Sequence, residues 1–180
     1  MSEHYEILGC CEEVGYRYRL DVSTRVTGRK SLLVVQLNPS KANSQRSDPT
    51  VGKVVRWTQT QKDNFARVVF VNLFAKRATD PAKLSGCDYC ELIGSGNDLV
   101  TKYAVNEADR IIVAWGRIPR SLRCNYLRRR KEIREFIGAR PIYTVGALVG
   151  DEFPRHGRAW NRGNRDLRRY VWETPNERCS

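Results

Sequence analysis

The sequence predicts an α/β fold, a three-layer sandwich in which helices flank a central, mainly parallel β-sheet. Three short apolar runs of strand length carry this expectation: SLLVVQL (Ser31 to Leu37), RVVFVNLF (Arg67 to Phe74) and RIIVAWG (Arg110 to Gly116). Such continuous runs mark strands buried on both faces. Stretches with helical spacing lie between them, and each run stops in polar or turn-forming residues.

Taken in order, YRYRLDV (Tyr16 to Val22) alternates well enough for an edge or hairpin strand. After SLLVVQL comes Asn-Pro-Ser, which is turn chemistry. Asp48-Pro49-Thr50 then reads as a helix start, with Val51, Val54, Val55 and Thr58 as its stripe. RVVFVNLF is closed by the polar AKRATDP, and residues 97–108 have helical character. RIIVAWG follows, then an Arg-rich helical stretch from Pro119 to Phe136, then RPIYTVG (Arg140 to Gly146) as a fourth strand. Strands alternating with helices imply parallel pairing through right-handed crossovers. With no internal repeat and no low-complexity linker, residues 1–180 read as a single domain. Ligands in such sheets sit beyond the carboxyl ends of the strands. The polar residues there are Asn38, Ser40 and Asn72, with Trp115-Gly116 and the loop that carries His156.

The chain has 180 residues, 41% of them apolar, and four Trp, enough for a proper core. No stretch approaches the roughly 18 to 20 apolar residues of a membrane helix. The N-terminal stretch lacks a basic region followed by an apolar run, so the expected location is the cytoplasm and no membrane partner is expected. Thirty-two Lys and Arg against twenty Asp and Glu give a net charge of +12. That field attracts polyanions, and released counterions drive the association. Arg predominates and clusters in 117–134 and 155–169. Arg forks onto phosphate and stacks on bases, so DNA is the expected partner, with no obligate protein partner evident. Arg77, Arg128, Arg129, Arg130, Arg155, Arg158 and Arg162 are the candidate backbone contacts, although Arg128 to Arg130 also read as a solvated helix face.

The six cysteines include one C-x-x-C, Cys87 and Cys90. Structural zinc needs a second ligand pair at matching spacing, which is missing. Reduced thiols are expected and no cofactor or metal, with an iron–sulfur cluster on Cys87, Cys90 and two distant cysteines as the alternative.

Four blocks together resemble the family catalogued as domain of unknown function 1643: LNPS (37–40), DPT (48–50), NLFAKRATDP (72–81) and AWG (114–116). The same blocks, in the same order, resemble the uracil-DNA glycosylase superfamily. There the first strand ends in a motif that orients the attacking water, the second in an Asn that reads a flipped base, the third in Leu-Trp-Gly, and a late His-Pro-Ser loop carries a catalytic His. The resemblance implies a uracil-DNA glycosylase-like fold. It assigns Asn38 to the water, Asn72 to the base and His156 to catalysis. His156 is followed by Gly157 where the superfamily has Pro, a departure from the pattern.

The implied reaction excises a base from DNA and leaves an abasic site. It needs donors for the departing base and a water on the opposite face of the sugar. An Asn can orient that water but has no pKa suited to a base, so Asp48 is the nearest carboxylate for proton transfer, with His156 as donor. Asp48 equally reads as a helix cap. The base must leave the stack and be clamped. Pro39, Ser40, Asn72 and an aromatic from Trp57, Phe74 or Trp160 are the expected base-site residues, with Trp160 also placed among the DNA contacts. No aromatic follows Asn38 before Trp57, which favours a bulky target, such as the modified bases of phage DNA, and a role in antiviral defence. The alternative from another class is a catalytically silent nucleic-acid-binding module on the same fold. An enzyme of free nucleosides or nucleotides is disfavoured by the charge.

Overall fold

The computed structural model describes residues 5–39 and 48–172. A hairpin comes first: β1 (Glu6–Glu13) and β2 (Tyr16–Ser23) run antiparallel through Val14 and Gly15. β3 (Lys30–Gln36) is buried at every position after Lys30. α1 (Pro49–Gln59) leads to β4 (Phe65–Asn72). The short α2 (Tyr89–Ile93) and then α3 (Asn97–Glu107) lead to β5 (Arg110–Val113). α4 (Arg123–Ile137), β6 (Ile142–Val145) and β7 (Leu167–Arg169) complete the chain.

The seven strands form one sheet in the order β1-β2-β4-β3-β5-β6-β7. β4, β3, β5 and β6 are parallel neighbours. β1–β2, β2–β4 and β6–β7 are antiparallel. The sheet is therefore mixed, which corrects the expectation of a mainly parallel one. The antiparallel strands are β1, β2 and β7, of which sequence periodicity showed only β2. β1 is an edge strand whose residues are exposed or half-buried, and β7 has three residues.

Strand alternation sends successive side chains to opposite faces, and two cores result. Leu32, Val34, Val68, Phe70 and Ile112 meet Val51, Val54, Val55 and Trp57 of α1 together with Trp160. Leu33, Val35, Val69, Val71, Ile111 and Val113 meet Ala104 and Val105 of α3 and Tyr126, Ile133 and Ile137 of α4. α1 thus covers one face, and α3 and α4 the other. The β3–α1–β4 connection moves one way along the sheet, whereas β5 and β6 lie on the other side of β3. The chain reverses direction beside β3, where the carboxyl ends of β3 and β5 leave a crevice.

Several residues assigned to DNA or base by sequence belong to this scaffold. Arg129 is fully buried: its Nε donates to Leu73 O at 2.9 Å, and its Nη1 reaches Asp98 at 2.6 Å and Glu132 at 2.8 Å. Arg130 is also buried, its guanidinium 5.4 Å from the Trp172 ring. Arg128 is exposed but lies 3.8 Å over the Tyr89 ring and bonds Glu132. Arg129 and Arg130 are thereby corrected from phosphate contacts to buried packing residues, whereas Arg128 stays on the surface. Phe74 sits in the α3/α4 core without exposure. Trp57 and Trp160 are buried edge-to-face at 4.9 Å, so none of the three rings offers a free face to a base. Trp57 Nε1 donates to Arg165 O and Trp160 Nε1 to Arg155 O, each at 3.0 Å. Arg155 donates to Asn164 O and Arg162 O, both at 2.7 Å. These residues staple the segment after His156 onto α1. Arg77 pairs with Glu12 and donates from Nε to Tyr16 O, tying the hairpin to the β4 exit.

Removing Arg129 strips two carboxylates and a buried carbonyl of a shared donor. Arg129→Ala is expected to lower stability by ~3 kcal/mol in denaturant titration, whereas Arg128→Ala changes it by less than ~1 kcal/mol.

Candidate functional site at the carboxyl ends of β3 and β5

The end of β3 is held by continued pairing with the chain after β4. Leu73 N donates to Gln36 O at 2.8 Å, Phe74 N to Leu37 O at 2.9 Å and Ala78 N to Pro39 O at 3.3 Å. Asn38 Nδ2 donates to Ala78 O at 2.7 Å and to Pro39 O at 3.2 Å. Backbone carbonyls thereby use the amide nitrogen, and Oδ1 remains as the acceptor. Pro39 is buried, a turn residue that supports Asn38. Ser40 lies outside the described residues.

α1 begins at Asp48, whose Oδ1 accepts from Thr50 N at 2.6 Å and Val51 N at 3.4 Å. The cap places this carboxylate at the positive end of the helix dipole. The third wall comes from the loop before β7. Gly116, at the end of β5, has φ +71° and donates to Pro154 O at 3.0 Å. A Cβ there would sit 3.0 Å from His156 Cβ, so a side chain at Gly116 would push the histidine away. Gly157 is constrained from the other side, since its Cβ would lie 2.6 Å from Val54 Cγ2 of α1. Bulk at either glycine would displace the loop.

His156 Nδ1 accepts from Arg158 N at 3.1 Å and caps the short helical turn Gly157–Ala159. The neutral ring consequently carries its proton on Nε2. Burial lowers the His156 pKa, nearby Arg158 lowers it further, and Asp48 opposes them. The group is a neutral N–H donor near pH 7.

Gln36, Asn38, Asp48, Lys53, His156, Arg158 and Arg162 line one cleft of about 750 Å³, closed on its remaining side by Ala78, Thr79 and Pro81. Asn38, Asp48 and His156, chosen as catalytic candidates from sequence, thus come together with Arg158 and Arg162. Asn72 is fully buried at the end of β4, in register with Gln36, and does not line the cleft. Gln36 and Lys53 are functional candidates that the sequence reading missed. The signal for Gln36 was a polar residue closing an otherwise apolar strand.

Charge is distributed to match. At the amino ends of the parallel strands, Asp63 pairs with Lys30 and Arg110. Asp21 and Glu107 pair with Arg19 and Arg67. At the carboxyl ends, Lys53, Arg117, Arg120, Arg158 and Arg162 make no ion pair among the described residues. Among the described residues no three metal-ligating side chains converge, and Cys10, Cys11, Cys87, Cys90 and Cys124 are free thiols. No helix of the described residues is long and apolar enough to cross a membrane.

Fold and cleft together define an α/β protein with a polar, cationic pocket at a topological switch point. Residues 17–156 match the family described as protein of unknown function (DUF1643), and the chain belongs to that family. No curated protein and no solved structure matches the chain.

The lowered His156 pKa fixes the sign of one pH effect. Between the folded pKa and the ordinary 6.5, the unfolded chain binds a proton that the folded one does not. The His156 contribution is present above 6.5 and is lost as pH falls through the folded value. His156→Asn keeps a capping acceptor without titrating. The stability of the wild type relative to this variant, from denaturant unfolding, should fall between about pH 7.5 and pH 5.

Proposed function

We propose that the protein is a monofunctional DNA glycosylase, a hydrolase that flips a base into this cleft and cleaves its N-glycosidic bond, on a scaffold related to the uracil-DNA glycosylase superfamily. The observation that carries the reading is the meeting of an immobilised Asn38 acceptor, the Asp48 carboxylate and a neutral His156 donor in one cationic cleft.

Asn38 Oδ1 holds a water against the sugar, with Nδ2 fixed so that the amide cannot turn. As the C1′–N bond lengthens, the sugar becomes cationic and the base takes the bonding electron pair. His156 Nε2–H donates to the base and stabilises that charge without requiring a protonated imidazole. Water oxygen bonds C1′, Asp48 accepts the proton released, and the base leaves protonated by solvent. Lys53, Arg158 and Arg162 hold the flanking phosphates. Asn72, buried beside Gln36 at the end of β4, acts on the base through that residue in this reading.

The cleft is large for an unmodified pyrimidine. Among its described lining residues the His156 imidazole is the one aromatic ring. A bulky modified base, of the kind found in phage DNA, suits it better than a small base needing a stacking partner, which supports a role in antiviral defence.

The test incubates duplexes carrying natural and phage-modified bases with the protein, followed by alkali to break abasic sites. Wild type is expected to give alkali-labile cuts that Asn38→Ala reduces on the order of 100-fold while still binding DNA. Salt-sensitive binding with no cuts by either protein supports the silent binding module instead. Arg158→Gln with Arg162→Gln should weaken binding on every sequence and reduce the salt slope by about 2.

A further inference from the structure

Three polar atoms at the base of the cleft are buried without a hydrogen-bond partner among the described residues: Gln36 Nε2 and both amide atoms of Asn72. Neither residue makes a side-chain contact beyond those described. Gln36 is 5% exposed and Asn72 0%. They are register partners in the parallel β3–β4 pair. By strand alternation both share the α1 face with Leu32, Val34, Val68 and Phe70. Gln36 also lines the cleft, and a Cβ on Gly157 would sit 3.6 Å from its Nε2. Gln36 therefore faces the cleft beneath the turn that follows His156, and Asn72 is its buried register partner on the same face of the sheet.

Buried polar groups are nearly always satisfied, and where one has no partner, replacing it by an apolar group of similar shape removes an unmet desolvation cost. A fold has no use for two adjacent unpaired amides, but a ligand that brings the missing donors and acceptors does. We propose that Gln36 is a specificity-determining residue whose amide, with Asn72 as its buried neighbour, reads the hydrogen-bonding edge of a nucleobase. The inference rests on the reading of the cleft as a base-binding site. Gln36 offers an N–H to a ring nitrogen or exocyclic oxygen. A base with an acceptor at that position satisfies Gln36 Nε2, whereas a base with a donor there leaves it unpaired, the arrangement that discriminates most strongly.

The experiment compares wild type, Gln36→Met and Gln36→Glu with duplexes carrying one bulged A, G, C, T or U, measuring both equilibrium binding and base release. Wild type is expected to bind one bulged base at least tenfold better than the poorest. Gln36→Met flattens that ratio toward one while leaving Tm unchanged or higher, because it removes an unpaired buried donor. Gln36→Glu, which substitutes an acceptor for the donor, reverses the order in favour of a base presenting an amino group. A lowered Tm for Gln36→Met with the base ratios preserved overturns the proposal and makes Gln36 structural, as does a wild type that binds all five bulges equally. Base-dependent binding without base release leaves the specificity role standing and refutes the glycosylase reading alone.

Discussion

The site depends on one close approach. The turn after His156 lies so near α1 that Gly157 has no space for a side chain beside Val54, while Gly116 leaves room for His156 on the β5 side. The edge-to-face Trp57–Trp160 pair and two indole hydrogen bonds to backbone carbonyls hold this turn against the helix. Without that seam, His156 would not share a cleft with Asn38 and Asp48, which come from the opposite side of the crevice. The large buried aromatics on this face thus shape the cleft through position, and its lining falls to the polar residues they support.

The electrostatics follow from the same packing. Burial and Arg158 keep His156 neutral, and its bond to the Arg158 amide leaves the proton on the other ring nitrogen. Asn38 is likewise immobilised through its nitrogen, which leaves its oxygen available. Both groups are fixed in one hydrogen-bonding sense before any ligand arrives, the preorganisation on which the proposed reaction would draw. Lys53, Arg158 and Arg162 at the cleft make no ion pair among the described residues, whereas Asp21, Asp63 and Glu107 neutralise the cations at the other end of the sheet. The excess positive charge is thereby directed toward the cleft mouth.

Much of this was legible in sequence because it is carried by local signals. The buried runs of β3, β4 and β5 announced themselves through unbroken apolar composition, and Asp48-Pro49 through capping chemistry. Asn38 and the His156 loop were expected together because both follow strands of the sheet, Asp48 was the nearest carboxylate in sequence, and their catalytic roles came from the family resemblance. Strands β1 and β7 were missed: one is an exposed edge with a cysteine pair and no clean alternation, the other is too short to have a period. Surface assignments failed where long-range partners decide burial. Arg129 looks like any helix arginine until Asp98, Glu132 and the Leu73 carbonyl converge on it. Trp57 and Trp160 look like stacking rings until they meet across a long stretch of sequence, in a pairing that no local pattern encodes.

The most direct measurement is intact-mass spectrometry of DNA strands, natural and phage-modified, after incubation with the purified protein. The account predicts that a susceptible strand loses the mass of one base and gains one hydroxyl, with the free base recovered in solution and the strand unbroken. Unchanged masses throughout, an altered base still attached to its sugar, or direct strand scission would each contradict it.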